Sequence, residues 1–502
     1  MRTVNIPPII RQVGIRLGAI TLVKAIGLIG RIILTRMVGS EGIGLFQMAY
    51  SYYGFVFMLI TGGVPTALAL YTAEQNALGW VWFKRLSVVF ILVGASICLI
   101  SIGYSQHISA WLGNPDLSFF IRPLSLALFV VPLLSLLRGY LQGLECYTVI
   151  AVSEIIEQAV RVVLMLSIAW LLMPQGMVFA AGISQIGTAL GGIAAFVSLL
   201  LFTLHTKKEH VVSYSPPPRS RSRITDSIWF IRCSFMIAMT RLLVPFSDML
   251  DAIIIPSRLQ TAGYDSSQAT AMYGLLTGMA ILIVYMPTIV TSAISHTITM
   301  KLVIAWKERH IGQFNARSRE ALEIVWIWGI ASCIFLWFYK DELSQVFFKT
   351  PEAAELIQWL FIIPLVVGLR EITTSILWSQ GNNKISLIGT IIGIFIAALC
   401  HYSFIPLKGL HIIGAVIGIL LMEFIITTIN IMGLKKVVSG MNLGRLLLHT
   451  LIFLVVLVPT ASVTRSISSL IDWGIYSTLP GMFLYILLVC TYMLIRYRQQ
   501  HT

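Results

Sequence analysis

Several ionisable residues stand inside otherwise apolar stretches of the sequence, and their types and spacing set the chemistry open to the chain. Lys24 and Arg31 are seven residues apart, close to two helical turns, so a helix would place both on one face about 10 Å apart along its axis. Such a cationic face suits an anionic ligand. Arg241 and Asp248 repeat the spacing of seven, and Asp251 follows Asp248 by one turn. These carboxylates either neutralise the neighbouring cations or serve a coupling ion. Glu154, Glu157 and Arg161 form a third group, in which Glu157 and Arg161 have the i,i+4 spacing of an intrahelical ion pair. Glu423 reads as a lone carboxylate, either hydrogen-bonded in packing or proton-linked, and His401 and His296 read as polar packing residues. Hydrolase and ATPase chemistry finds no support: GxxxxGK[ST], HExxH and GxSxG are all absent. The six cysteines show no metal-ligand spacing, so neither a catalytic residue nor a metal site is assigned.

Composition identifies the elements that must carry these charges. The chain has 502 residues, 57% hydrophobic and 11% charged, with a mean hydropathy of +0.87. Soluble domains carry roughly 25% charge, so this is an integral membrane protein. Apolar runs of spanning length fall at about 14–38, 44–71, 86–105, 118–141, 149–172, 177–204, 228–255, 270–299, 321–339, 354–378, 385–405, 411–434, 446–464 and 478–495. The expectation is an all-α polytopic protein of about fourteen transmembrane helices. With the N-terminus inside, twenty Lys and Arg residues fall on inner connections and five on outer ones, which places both termini in the cytoplasm. The formal charge of +14 is therefore read as topology rather than as affinity for nucleic acid. The first apolar run, broken by Lys24 and Arg31, reads as a retained helix and not as a cleaved signal.

The stretch from His205 to Ser227, rich in Pro and Arg, reads as a cytoplasmic linker between two halves. A weak repeat agrees with it. Gly63-Val-Pro-Thr-Ala-Leu68 finds a partner in Tyr285-Met-Pro-Thr-Ile-Val290, and Leu141-Gln-Gly143 finds one in Ser379-Gln-Gly381. Two six-helix lobes related by a parallel pseudo-twofold axis follow, with two additional C-terminal helices. The expected divisions are 1–227, 228–440 and 441–502. Gly187/Gly191, Gly389/Gly393 and Gly414/Gly418 have the small-xxx-small spacing of close helix contacts.

Four passages carry a family resemblance: Arg31 to Leu45 (RIILTRMVGSEGIGL), Gly63 to Glu74 (GVPTALALYTAE), Leu137 to Gly143 (LRGYLQG) with Ser153 to Arg161 (SEIIEQAVR), and Tyr273 to Ala280 (YGLLTGMA). The chain resembles the polysaccharide flippases of the multidrug/oligosaccharidyl-lipid/polysaccharide exporter superfamily, and within them the stage V sporulation protein B branch. The resemblance implies a V-shaped pair of lobes working by alternating access in a bacterial plasma membrane. It implies a non-enzyme whose cargo is a lipid-linked oligosaccharide or a peptidoglycan precursor such as lipid II, for instance for spore cortex. It also implies that cations on the first and seventh helices, here Lys24, Arg31 and Arg241, line the cavity. No cofactor is expected; coupling to membrane potential, H+ or Na+ is compatible with the pattern, and wall-synthesis enzymes and membrane lipids are the expected neighbours. The sequence departs from the family pattern after Pro287, where it reads Ser295-His-Thr-Ile-Thr-Met300. The alternatives are a cation-coupled drug exporter of the same superfamily, which Asp248, Asp251 and Glu423 would serve, a non-transporting scaffold, and an integral glycosyltransferase.

Overall fold

The computed structural model describes residues 8–209, 223–468 and 478–501, so most of the Pro/Arg-rich linker lies outside the described residues. Everything described is helix, turn or short connection, with no strand. Hydrocarbon cannot hydrogen-bond a peptide group, and helices satisfy the backbone within each segment. Contacts divide the chain into two compact units, Met1–Ser257 with Ser266–Ala271, and Arg258–Asp265 with Met272–Thr502. The boundary thus lies beyond residue 227, and the C-terminal helices belong with the second unit.

The first unit contains α1 (Pro8–Thr61), α2 (Val64–Glu74), α3 (Asn76–Gly103), α4 (Ser105–Trp111), α5 (Ser118–Gly143), α6 (Tyr147–Leu172), α7 (Met177–Ser184), α8 (Ile186–Glu209), α9 (Arg223–Arg241) and most of α10 (Leu243–Thr261). α1 joins the first two expected spans across a break at Gly39, whose φ of 67° lies in the left-handed region that glycine enters without strain. α5 is central, packing on α1, α2, α3 and α8. Gly187 and Gly191 of α8 bring it against the α6 backbone. A Cβ there would stand 2.9 Å from the Arg161 carbonyl oxygen and 2.7 Å from that of Glu157, so these glycines act in packing as their spacing indicates. At the start of α9, Asp226 accepts a 3.0 Å hydrogen bond from Tyr71 of α2, inside a cluster of Trp82, Trp229 and Phe230. That contact holds the first turns of α9 against α2.

The second unit begins within α10 and contains the end of α11 (Ser266–Tyr273), a π-helical stretch Gly274–Ala280, α12 (Ile281–Val284), α13 (Thr288–Lys307), α14 (Ile311–Phe348), α15 (Ala354–Trp359), α16 (Ile363–Ser379), α17 (Asn383–Phe404), α18 (Ile412–Gly433), α19 (Lys435–Val438), α20 (Leu443–Ser468) and α21 (Leu479–His501). α16 is central here, between α13, α14 and α18, while α20 and α21 pack on α14. The small residues Gly393, Gly414 and Gly418 lie against Ile426, Phe404 and the His401 ring. His401 is fully buried and bonds the Ala415 carbonyl at 3.1 Å, which makes it a packing residue as expected.

Among the described residues twelve helices are long and apolar enough to cross a membrane, or thirteen when Asp226–Arg241 and Leu243–Thr261, bent by 47°, are taken as one span, against the fourteen expected. The differences have local causes. The first two runs form one continuous helical stretch, Gly18–Glu74, and run 354–378 is divided between α15 and the 17-residue α16, whereas run 270–299, split at Tyr285–Pro287, gives two helices of spanning length. Many of the largest apolar side chains face outward, including Leu99, Ile231, Phe395 and Phe483. In hydrocarbon an exposed apolar side chain carries no penalty, and helix association rests on close packing and polar contacts.

Candidate functional site: a charged pocket in the first unit

The pocket forms where the second apolar run breaks. α1 ends at Thr61, Gly62 turns with φ +49°, and α2 starts with Pro65 at its second position. Proline is tolerated there because the first-turn N–H groups have no helical partner. Gly63 lets α9 approach at Ser234 and Ile237, and Gly139 lets α5 approach the Pro65 carbonyl. A cavity of about 390 Å³ remains between these helices and α6. Its polar lining comprises Thr61, Thr66, Ser135, Arg138, Gln142, Glu154 and Arg241.

Arg138 is the most constrained of these. Its Nη1 lies 2.8 Å from Glu157 Oε2, and its Nε donates to Ser153 Oγ at 3.1 Å. Nη2 is buried and has no hydrogen-bond partner among the described residues. Arg241 is exposed at the last turn of α9, and among the described residues neither it nor Glu154 has a polar partner. Deeper along α6, Arg161 Nη1 donates to Tyr50 Oη at 3.1 Å, and its Nη2 donates to Gln158 Oε1. The expected Glu157–Arg161 pair is therefore corrected. Glu157 turns to Arg138 on α5, because a neighbouring helix presents a guanidinium fork more directly than the residue one turn along.

Of the three cations expected to line a cavity, Arg241 lines this pocket, whereas Lys24 and Arg31 are not among its lining residues. Lys24 is exposed and Arg31 half-buried on α1, whose Gly27 and Gly30 pack on Gln158 and Val162 of α6. The spacing of seven between Arg241 and Asp248 does not set a common face, because the bend at residue 242 falls between them. Asp248 is exposed and Asp251 half-buried on α10.

The second unit holds a different arrangement. Glu423 is not a lone carboxylate: its Oε2 is 2.8 Å from Arg370 Nε, a charge contact short of a linear hydrogen bond, and its Oε1 accepts from Tyr285 Oη at 3.1 Å. Beside it, Glu371 accepts from Thr291 and Ser292, both at 2.9 Å. On α14, Glu323 accepts from Arg496 at 3.0 Å and pairs with His449 at 3.1 Å, which ties α20 and α21 to the unit.

Arg138 and Arg370 were not among the residues singled out from the sequence. Arg138 had a usable signal. It lies five residues before the end of α5, and Ser153 and Glu157 follow the start of α6 by six and ten, so antiparallel neighbours bring them to nearby levels. Arg370 and Glu423 come from helices not adjacent in sequence, and no local spacing links them.

A bundle of apolar helices in two units, with charges buried inside each, defines a polytopic membrane protein. The fold matches "Lipid II flippase MurJ, inward closed conformation" with a TM-score of 0.69 at 15% identity, covering 96% of this chain and 99% of that one. It also matches the inward-facing conformation of a multidrug resistance MATE family transporter of the MOP superfamily, with a TM-score of 0.67 at 13% identity, over 82% and 94% of the two chains. The model of the family described as "Polysaccharide biosynthesis protein" matches residues 9–299, and the chain belongs to that family. Among curated relatives, stage V sporulation protein B of Bacillus subtilis is 22% identical over 434 residues, 84% of this chain and 83% of the relative. Lipid II flippase MurJ of the same organism is 22% identical over 414 residues, 76% and 75% of the two chains.

Proposed function

We propose that the protein carries a lipid-linked anionic glycan or cell-wall precursor from the inner to the outer leaflet of a bacterial plasma membrane by alternating access. The observation that supports this most directly is a pocket among spanning helices whose lining includes two arginines, Arg138 and Arg241, in a chain of this family. The phosphates of a lipid-linked sugar lose hydration on leaving the interface, and guanidinium groups replace it with charge-assisted hydrogen bonds while the lipid tail stays in hydrocarbon. An inside-negative potential favours outward movement of each negative charge by about 2.3 kcal/mol per 100 mV, so the potential alone can supply a driving force, with H+ or Na+ coupling as additions to it. The named relatives suggest lipid II, or a precursor of spore cortex, as the first cargo to try. Both termini are assigned to the cytoplasm on the distribution of basic residues. Wall-synthesis enzymes are the expected partners on the cargo's path.

The test is translocation of fluorescent lipid II and of a lipid-linked oligosaccharide in proteoliposomes under an imposed potential. Wild type is compared with Arg31→Ala and Arg241→Ala. The expected outcome is flipping by wild type and slowing by about tenfold or more in the variants, the size of a lost charge-assisted hydrogen bond. Wild-type rates in both variants would remove these residues from the cargo path. A folded wild type that moves neither lipid would favour the cation-coupled drug exporter, which has the same fold, or a scaffold.

A further inference from the structure

Two of the four passages that mark the family, the second of them through both its parts, meet at the pocket of the first unit. Gly63 to Glu74 supplies Pro65 and Thr66, Leu137 to Gly143 supplies Arg138, Gly139 and Gln142, and Ser153 to Arg161 supplies Glu154 at the lining with Ser153 and Glu157 behind Arg138. Arg138 is held through Nη1 by Glu157 and through Nε by Ser153, while its buried Nη2 makes no hydrogen bond among the described residues. Leaving a buried donor unmade costs about 1–3 kcal/mol, so the site is arranged for an acceptor that arrives from outside the chain. Arg241 adds a second guanidinium, whereas Glu154 adds a carboxylate that would repel a simple anion. A ligand satisfying all three carries anionic oxygens beside hydroxyl or amide donors. A cavity of about 390 Å³ is at the small end of ligand pockets, which run ~300–1,000 Å³, and takes part of a head group rather than the whole.

On the basic-residue topology, α5 ends and α6 begins at the cytoplasmic side, the side from which cargo is taken. Resting on the function proposed above, we infer that this pocket is a loading subsite for the glycosyl-phosphate end of a lipid-linked sugar. Arg138 and Arg241 take the phosphate oxygens, Glu154 accepts from the adjoining sugar, and Glu157 and Ser153 are positioning residues that hold the Arg138 fork.

The experiment measures binding of three probes to the full-length protein in nanodiscs: undecaprenyl-diphosphate-N-acetylglucosamine, undecaprenyl phosphate and inorganic pyrophosphate. Arg138→Lys keeps the charge but loses the planar fork, and its affinity for the glycosylated lipid is expected to fall about tenfold. Glu154→Gln leaves the Arg138–Glu157 pair intact and keeps the test decisive should Arg138→Lys fail to fold. It is expected to weaken binding of the glycosylated lipid several-fold, by the loss of a charged acceptor, and to spare undecaprenyl phosphate. Wild-type affinity for the glycosylated lipid in folded Arg138→Lys, or equal effects of Glu154→Gln on both lipids, overturns the inference. Displacement of the glycosylated lipid by equimolar inorganic pyrophosphate also overturns it, by assigning the site to free phosphate. The two ideas fail separately. Absence of wild-type flipping with Arg138-dependent binding intact would sink the proposed function alone, and flipping with unchanged binding in the variants would sink the subsite alone.

Discussion

Each unit sets an arginine of its central helix 2.8 Å from a glutamate of a neighbouring helix, yet the surroundings of the two glutamates differ. In the first unit Arg138 and Glu157 have side-chain exposures of 18% and 16%, and Arg138 lines an open pocket. In the second, Glu423 is 2% exposed and its other oxygen is taken by Tyr285, Arg370 is 26% exposed, and the adjacent Glu371 is satisfied by Thr291 and Ser292. Both pairs lie near a helix interruption that ends in a proline, at Gly62–Pro65 and at Tyr285–Pro287. At the first, small residues leave space beside the interruption. At the second, a tyrosine fills it and supplies a donor. On the subsite inferred above, an ion pair of the same length serves recognition in the first unit, whereas in the second the carboxylate is held by a tyrosine from within and the pair serves packing.

The sharpest way to break this comparison is to remove one charge from the closed pair. Arg370→Ala is expected to destabilise by about 3–5 kcal/mol, because it strands the Glu423 carboxylate, and a lowered unfolding temperature in detergent would register it. The double variant Arg370→Met with Glu423→Leu should recover most of that loss, since well-packed apolar pairs often match buried ion pairs. Failure to recover would assign the closed network more than a packing role. A smaller effect is expected from Gly139→Ala, whose Cβ would overlap the Pro65 carbonyl and press α2 away from α5. Overpacking of this kind costs about 1–3 kcal/mol, whereas Gly312→Ala, with nothing near its Cβ, serves as the neutral control. Equal melting of the two variants would contradict the close α2–α5 contact. The smallest effect is expected from Glu323→Gln, which keeps a hydrogen-bond acceptor and removes the charge facing Arg496, Arg445 and His449. Hydrogen exchange in α20 and α21 should rise by a factor of about 5, corresponding to ~1 kcal/mol, with α16 unchanged. Unaltered exchange would show that apolar packing alone seats these helices.

Much of the architecture was legible in the sequence because spanning segments announce themselves by length and apolar composition. The small-xxx-small glycines were legible for the same local reason, and Gly187, Gly191, Gly393, Gly414 and Gly418 all lie at close contacts. The charged partners were less legible. Glu157 and Arg161 have an ideal helical spacing, but the contact Glu157 makes is with Arg138 on the next helix. Glu423 looked solitary because Arg370 lies more than fifty residues away in sequence. Arg241 was found from the sequence, while its pocket partner Arg138 was hidden inside a passage that marked only the family.

The sequence by itself determined a helical membrane protein, its approximate spans, the inward bias of basic charge and the family to which it belongs, since all of these depend on composition and short-range spacing. Only the tertiary structure decided which buried charge meets which, where the helix interruptions open a cavity, and which of the two arginine–glutamate pairs borders it. Those outcomes depend on the rotation and depth of helices distant in the chain, and no periodicity within one segment encodes its angle against another.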